Sequence, residues 1–338
     1  MPAAHYLHFS IPHNLAPIEN LGYLLKGSTY LNLARVFWHP KERLSGTPEW
    51  SCHMEFAIAI PQTYPDPGRI QRFLARAEQL SFAAAWSIEQ VIGTAPVLES
   101  VTTLAYAAGI SRRLRLGVAV LLIAQRNPID LAKALSSLDV LSQGRLIVGV
   151  GLGASTRYYP AYGLTIDGRV SRFRENLEIM KRLWTEDKVT LHGRFSQLDG
   201  VPMEPKPAQK PRPPIWFGGH APAALRRAVE LGDGYIGAGS TPMKIFLEDI
   251  KQLPPEFPKA KRLYLALGDN LPRLRQWFGA FYGKPEMADQ VAVCGSPQQI
   301  RDGIGRLKDG GVSHILLNPV FEEEEQMERL AQEVLPHT

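Results

Sequence analysis

The chain has 338 residues, 45% of them hydrophobic, with 38 basic and 33 acidic residues giving a net charge of +5. Such a chain builds one large core or two small ones, which excludes disorder and a disulfide scaffold. The charge is spread without a Lys/Arg block, which argues against a nucleic-acid partner and mildly favours an anionic ligand. Cys52 and Cys294, with no CxxC spacing, supply no structural zinc site and fit a reducing compartment.

Residues 1–53 carry five of the nine histidines without a sustained period and stop where "MEFAIAIPQ" begins a buried-strand pattern. They read as an N-terminal extension, either an added arm or upstream sequence from a misassigned start codon. The first residues lack the basic start and clean apolar middle of a secretory signal, and no apolar run reaches the roughly 18 residues of a membrane span. The expectation is a soluble, cytoplasmic protein with no membrane partner and a single domain over 54–338.

From Met54 onward, strand-like runs alternate with amphipathic segments. The runs are "EFAIAI" (55–60), "AAAWSI" (83–88), "LRLGVAVLLI" (114–123), "RLIVGVG" (145–151), "PIWFGG" (214–219), "GYIGAG" (234–239), "RLYLAL" (262–267) and "SHILLNP" (313–319). Between them lie helical patterns such as "RIQRFLARAEQL" and "PQQIRDGIGRLKDGG". Eight βα units predict an α/β fold, a closed (β/α)8 TIM barrel, with a doubly wound open sheet as the alternative. The span 186–213, rich in proline, is too long for a simple connection and reads as an insertion on the barrel, a candidate lid.

Two segments carry the functional signal. In "RLIVGVGLG", Gly149, Gly151 and Gly153 interrupt a strand, which weakens it unless something must approach the backbone closely. Gly151 and Gly153 fall at the strand's carboxyl end, where barrels place their sites, so either they leave room for a flat ligand or they fit a crowded barrel interior. The sixth-position glycine of a dinucleotide fingerprint is missing, since residue 156 is Thr. In "PPIWFGGHAPAALRRAVELGDGY", a strand ends at Gly218 and Gly219, and Pro222 opens a helix that runs to about Leu231. Bare amides there would favour an anion, so the segment is either a phosphate cradle including His220 or an ordinary strand-to-helix turn.

The order "NPIDLAKALSSLDVLSQGRLIVGVGLG", "RFRENLEIMKRLW", "PPIWFGGHAPAALRRAVELGDGYI" resembles the luciferase-like monooxygenase superfamily, with its FMN-dependent and coenzyme F420-dependent members. The resemblance runs from about Met54 to Pro319. It implies a (β/α)8 barrel with the isoalloxazine or deazaflavin ring flat over the carboxyl ends of the strands. It also implies a bulge in the third strand, often with a non-proline cis peptide backing the ring, which falls here at Ala119–Val120. By the same resemblance Gly218, Gly219 and His220 take the cofactor's phosphate end, after the fifth strand rather than the seventh and eighth. Many relatives carry an acid followed by His at the end of the second strand, where this chain has Glu89 and Gln90. Gln90 forms hydrogen bonds but transfers no proton near neutral pH, which leaves Glu89 as a proton donor or as one half of an ion pair at the rim.

Some flavin monooxygenases of the superfamily place an arginine where this chain has Leu152, which leans toward F420. The expected function is therefore F420-dependent hydride transfer to or from a small organic substrate. The alternatives are an FMN-dependent monooxygenase using molecular oxygen and a barrel that binds flavin without turnover. Asp269, Asn270 and Asn318 sit just beyond strand ends as candidate substrate contacts or solvated loop residues. Trp86 and Trp216 either flank the ring or fill the core, His314 reads as structural, His337 is terminal and His192 lies in the insertion. No HxH, HExxH or paired-Asp motif supports a metal, and no GxSxG elbow supports a hydrolase. Barrel helices leave a homodimer open.

Overall fold

Pro67, Pro128, Pro222 and Pro297 each open a helix, where a missing N–H is no loss, and polar residues cap three of these four starts. Asp66 accepts from the amides of Gly68 and Arg69, Asn127 from those of Ile129 and Asp130, and Ser296 forms a capping box with Gln299. These local signals set the helix starts in a computed structural model that describes residues 54–61, 66–153 and 156–338. The expected N-terminal extension, 1–53, lies outside the described residues.

The strands are β1 (Glu55–Ala59), β2 (Ala84–Ser87), β3 (Arg115–Val118), β4 (Leu146–Val150), β5 (Val189–His192), β6 (Gln197–Val201), β7 (Ile215–Gly218), β8 (Gly234–Gly237), β9 (Lys259–Leu267), β10 (Ala292–Gly295) and β11 (His314–Asn318). Parallel pairing runs β1-β2-β3-β4-β7-β8-β9-β11 and closes from β11 back to β1. This is an eight-stranded parallel barrel, a (β/α)8 TIM barrel, and each of its strands falls within or overlaps one of the eight predicted runs. The open-sheet alternative is excluded, because the β8–β9 pairing closes the ring of eight, with β10 attached alongside β9. The helices are α1 (Pro67–Gln79), α2 (Ser100–Ile110), α3 (Pro128–Leu141), α4 (Arg169–Thr185), α5 (Pro222–Leu231), α6 (Met243–Ile250), α7 (Leu271–Tyr282), α8 (Met287–Val291), α9 (Pro297–Asp309) and α10 (Glu323–Arg329). Among the described residues no helix is long and apolar enough to cross a membrane.

The bore is filled, not hollow. Ala57, Ala84, Trp86, Ile147, Trp216, Ile236, Ala260 and Leu316 pack inside it, with the two indole rings 5.9 Å apart. Gly117 and Gly234 face those rings, and a Cβ at either would lie within 3 Å of indole atoms. Trp86 and Trp216 are therefore core residues. His314, at the amino end of β11, sits edge-on to Trp216 and 3.2 Å from the Glu55 carboxylate, whose pKa this hydrogen bond lowers.

The insertion differs from its expected role. β5 and β6 form an antiparallel hairpin whose turn amides, Arg194, Phe195 and Ser196, donate to the Glu175 carboxylate. The following proline-rich stretch docks on α3: Ser136 donates to the Pro205 carbonyl, and Asp139 accepts from the Gln209 amide and side chain at 2.8 and 2.7 Å. Gln209 in turn donates to the carbonyl of Leu146, the first residue of β4. The span thus docks on α3 and the amino end of β4, on the side away from the mouth, and is no lid. An αβ connection returns to the end where the next strand begins, so this placement follows from connectivity.

β9 begins three residues before its predicted run, because Lys259 and Lys261 interrupt the apolar pattern. Both ammonium groups are satisfied by carbonyls. Lys259 donates to Pro254, Pro255 and Phe257, and Lys261, only 1% exposed, donates to Ala238 and Thr241 in the loop after β8. Burial lowers the Lys261 pKa from 10.5 to about 7, and Arg262 adds to this. Between those values the unfolded chain holds a proton that the folded chain has released, so stability rises with pH across that window and the gain is lost as pH falls toward 7. Urea midpoints of the wild type and of Lys261→Met, whose side chain is apolar and does not titrate, are expected to diverge from about pH 7 to about pH 10, with the wild type gaining. A constant difference across that range would refute a depressed Lys261.

Candidate active site

β3 stops at Val118 because the chain then turns out of the ladder through a cis peptide bond between Ala119 and Val120, the bond singled out in the sequence. Leu121 rejoins β4 by donating to Gly149 O at 2.8 Å and accepting from Gly151 N at 2.9 Å. This bulge brings the Val118 carbonyl within 1.8 Å of where a Cβ on Gly149 would be, so only glycine fits. The Val120 isopropyl group then fills the space beside three glycines. It would lie 3.3, 2.6 and 2.9 Å from a Cβ on Gly149, Gly151 and Gly218 respectively. Leu122 likewise fills the space at Gly153, where φ is +73°. The room at Gly151 and Gly153 is thus taken by Val120 and Leu122 rather than left open to a ligand directly. Ala119 and Val120, both half-buried, form a smooth apolar step at the mouth.

The step continues into the second glycine segment. β7 ends at Gly218, and Gly219 at φ +129° turns the chain into the exposed His220 and Ala221 ahead of α5. No side chain caps α5, whose N-terminus keeps unfilled donors of the kind an anion satisfies. Tyr235 braces the turn by donating from its hydroxyl to the Gly219 carbonyl at 2.8 Å. Burial raises the Tyr235 pKa, and the nearby Asp249 charge adds to this, so it remains a donor.

Beyond β2 stand Glu89 and Gln90. Glu89 Oε1 accepts from Arg126 Nη2 at 2.7 Å, and the same nitrogen donates to Glu99 at 2.9 Å, so the carboxylate is engaged in an ion-paired cluster. Asn176 of α4 fixes this loop by donating to the carbonyls of Ile123 and Arg126. Among the described residues, three buried oxygens on this β2-to-β4 side have no hydrogen-bond partner: Glu89 Oε2, Gln90 Oε1 and Tyr159 Oη. Tyr162 lies beside the cluster; burial raises its pKa, Arg126 opposes this and Glu89 adds to it. Orphaned acceptors and a phenol at a barrel mouth are what an incoming polar ligand would satisfy.

Across the mouth, Arg262 of β9 donates to Asn318 Oδ1 at 2.7 Å and to the Tyr264 hydroxyl at 2.6 Å. Asn318 is therefore part of a fixed network, Asn270 caps the local turn by donating to the Leu267 carbonyl, and Asp269 is exposed. His192 pairs with Gln197 in the hairpin at the far end. Arg126, Tyr159, Tyr162 and Arg262 had no sequence signal: each belongs to a loop or strand whose pattern reads as generic, and only folding brings them to the mouth. Among the described residues no group of three His, Cys, Asp or Glu side chains gathers to hold a metal ion.

Comparison with known proteins agrees with this geometry. Residues 50–260 match the family described as luciferase-like monooxygenase. An F420-dependent glucose-6-phosphate dehydrogenase of Kineococcus radiotolerans is 30% identical over 194 residues, 54% of this chain and 56% of that one. This chain thus spans little more than half the length of that relative. Among solved structures, the monooxygenase RslO1 of Streptomyces bottropensis superposes with a TM-score of 0.70 at 26% identity, covering 84% of this chain and 99% of its own. The oxygenating constituent of 3,6-diketocamphane monooxygenase from Pseudomonas putida, in complex with FMN, gives 0.66 at 16% identity over 84% of this chain and 99% of its own, a likeness of fold.

Gly149→Ala is expected to destabilise the protein by about 1–3 kcal/mol, because the new methyl meets backbone rather than a flexible side chain. Gly109→Ala, in α2 with nothing within 4 Å of the added carbon, is expected to gain up to about 1 kcal/mol. Chemical denaturation of both variants checks the contrast, and equal effects would show that the bulge does not depend on Gly149.

Proposed function

The chain belongs to the luciferase-like monooxygenase family, and from that premise we propose that it is an oxidoreductase holding a flavin-type cofactor, coenzyme F420, across the barrel mouth for hydride exchange with a small organic substrate. The observation that carries this reading is the Val120 step, continuous with the uncapped start of α5 through Gly218 and Gly219. A flat apolar surface beside an anion-favouring helix terminus suits a cofactor with a fused ring at one end and a phosphate at the other.

In this arrangement Ala119 and Val120 back the ring, and the backbone at Gly219, His220 and Ala221 receives the phosphate. Bound there, the deazaflavin supplies a two-electron hydride at its C5. Gln90 Oε1, buried and without a partner, is available to accept a hydrogen bond from a substrate hydroxyl or amide. Glu89 acts through Arg126, which fixes the loop between β3 and α3, so its part is positioning rather than proton transfer. Leu152 packs against the outer hydrophobic layer in place of an arginine, and the F420-dependent relative supports the same cofactor. The likeness to RslO1 supports a second reading, an FMN-dependent monooxygenase that would use the same cradle.

The test is fluorescence titration of the apoprotein with F420 and separately with FMN, repeated on Ala221→Asp. Aspartate at that exposed N-cap accepts from the first helical amides, so the variant is expected to gain about 1 kcal/mol of stability. Its carboxylate also occupies the anion position, so F420 affinity is expected to fall by at least about tenfold, or 1.4 kcal/mol. Tighter binding of FMN than of F420 would transfer the assignment to the monooxygenase reading. Failure of both to bind would overturn the cofactor assignment.

A further inference from the structure

Arg262 is the notable cation of the mouth. Along β9 it follows Ala260 on the inward face, and it stands level with Leu316 of β11 in the parallel register. Its side chain therefore rises from the filled part of the bore toward the opening. Neutral groups hold it on two sides: Asn318 Oδ1 receives Nε, the Tyr264 hydroxyl receives Nη2, and the guanidinium carbon lies 4.7 Å from the centroid of the Tyr264 ring. These partners are themselves fixed, since Asn318 donates to the Pro319 carbonyl and the Tyr264 hydroxyl is 2.7 Å from that of Tyr282 on α7. Among the described residues the guanidinium Nη1 makes no hydrogen bond and no carboxylate comes within ion-pair distance.

Arg145 at the amino end also lacks a carboxylate partner, but neutral acceptors engage all three of its guanidinium nitrogens, whereas Arg262 is engaged through two. Arg126, on the opposite rim, is paired with two carboxylates, Arg212 is paired with Asp233, and Arg69 with Glu323 and Glu324. A guanidinium stays charged at any accessible pH, and a half-buried charge without a counter-ion is costly. Its planar fork, held by its Nε and one terminal nitrogen, matches an oxyanion presenting two oxygens. β9, which carries Arg262, is separated from β7 by β8 in the ring, and β11, which carries Asn318, lies on its far side. An anion at Arg262 and a phosphate at α5 would therefore rest on different strands.

We propose that Arg262, oriented by Asn318 and Tyr264, binds an anionic oxygen group of the substrate, a carboxylate or a phosphate. The substrate class is then acidic, in line with the chain's net charge of +5. The assignment to substrate rests on the proposed cofactor position, whereas anion binding at Arg262 does not.

The experiment is calorimetric titration of the full chain with benzoate, inorganic phosphate and benzyl alcohol, in the wild type, Arg262→Gln and Arg262→Lys, with F420 and FMN affinities measured on the same samples. Benzoate or phosphate is expected to bind the wild type at least about tenfold more tightly than the neutral alcohol, and the preferred anion identifies the source. Arg262→Gln is expected to lose at least about tenfold in anion affinity while cofactor affinity stays within about twofold. Arg262→Lys, which keeps the charge but not the fork, is expected to fall between the two, and carries the comparison if Arg262→Gln unfolds. The proposal is overturned if neither anion binds better than benzyl alcohol, if both variants bind the anion like the wild type, or if cofactor affinity falls in parallel. Anion binding that depends on Arg262 in a protein that takes up neither cofactor would leave this site standing and remove the cofactor assignment alone.

Discussion

The mouth of this barrel depends on one close backbone approach. At Gly149 the Val118 carbonyl comes so near that no side chain is tolerated, and the hydrogen bonds of Leu121 to Gly149 and Gly151 clamp the returning chain in place. The surface between β3 and α5 follows from that clamp. Val120 is carried to the rim, its methyl groups settle beside Gly149, Gly151 and Gly218, and the next segment, Gly219 to Ala221, is left as bare backbone at the start of a helix. Strand ends, glycines and helix terminus are one contiguous surface, because β4 lies between β3 and β7 in the barrel.

The opposite end shows how a barrel of this size is closed. Arg145 donates to carbonyls of Ala108, Ser111, Leu114 and Ser142, and Asp139 is buried against Gln209 of the insertion. Burial raises the Asp139 pKa, opposed by the hydrogen bonds from Gln209, so the same interactions that hold the insertion also keep a carboxylate satisfied inside the protein. The insertion is therefore held against α3 and the start of β4, and the mouth is built from other loops.

Those loops divide the mouth by charge. On the β2-to-β4 side, one cation, Arg126, is shared by two acids, Glu89 and Glu99, and buried oxygens lack a partner among the described residues. On the β9-to-β11 side, a cation is held by neutral hydrogen-bond acceptors. The first arrangement offers hydrogen-bond acceptors and the second a cation, so a ligand placed across the Val120 step as proposed would meet different chemistry at each end.

Much of this was legible in the chain itself. Period-two apolar runs and a proline at the first turn of a helix act over a few positions, and they located the eight barrel strands and the start of α5, while the family resemblance pointed to Ala119–Val120. Residues paired across long separations stayed illegible. Lys259 and Lys261 read as breaks in a strand because their carbonyl acceptors come from loops, β10 reads as generic because it pairs only with the upper half of β9, and Arg262 reads as one arginine among many because Asn318 is 56 residues away. The glycines carry both lessons. Their spacing is a property of the sequence and marked the strand ends, whereas the occupant of the space beside them, Val120 rather than open solvent, was decided by the tertiary approach of β3 to β4 and β7, which no local pattern encodes.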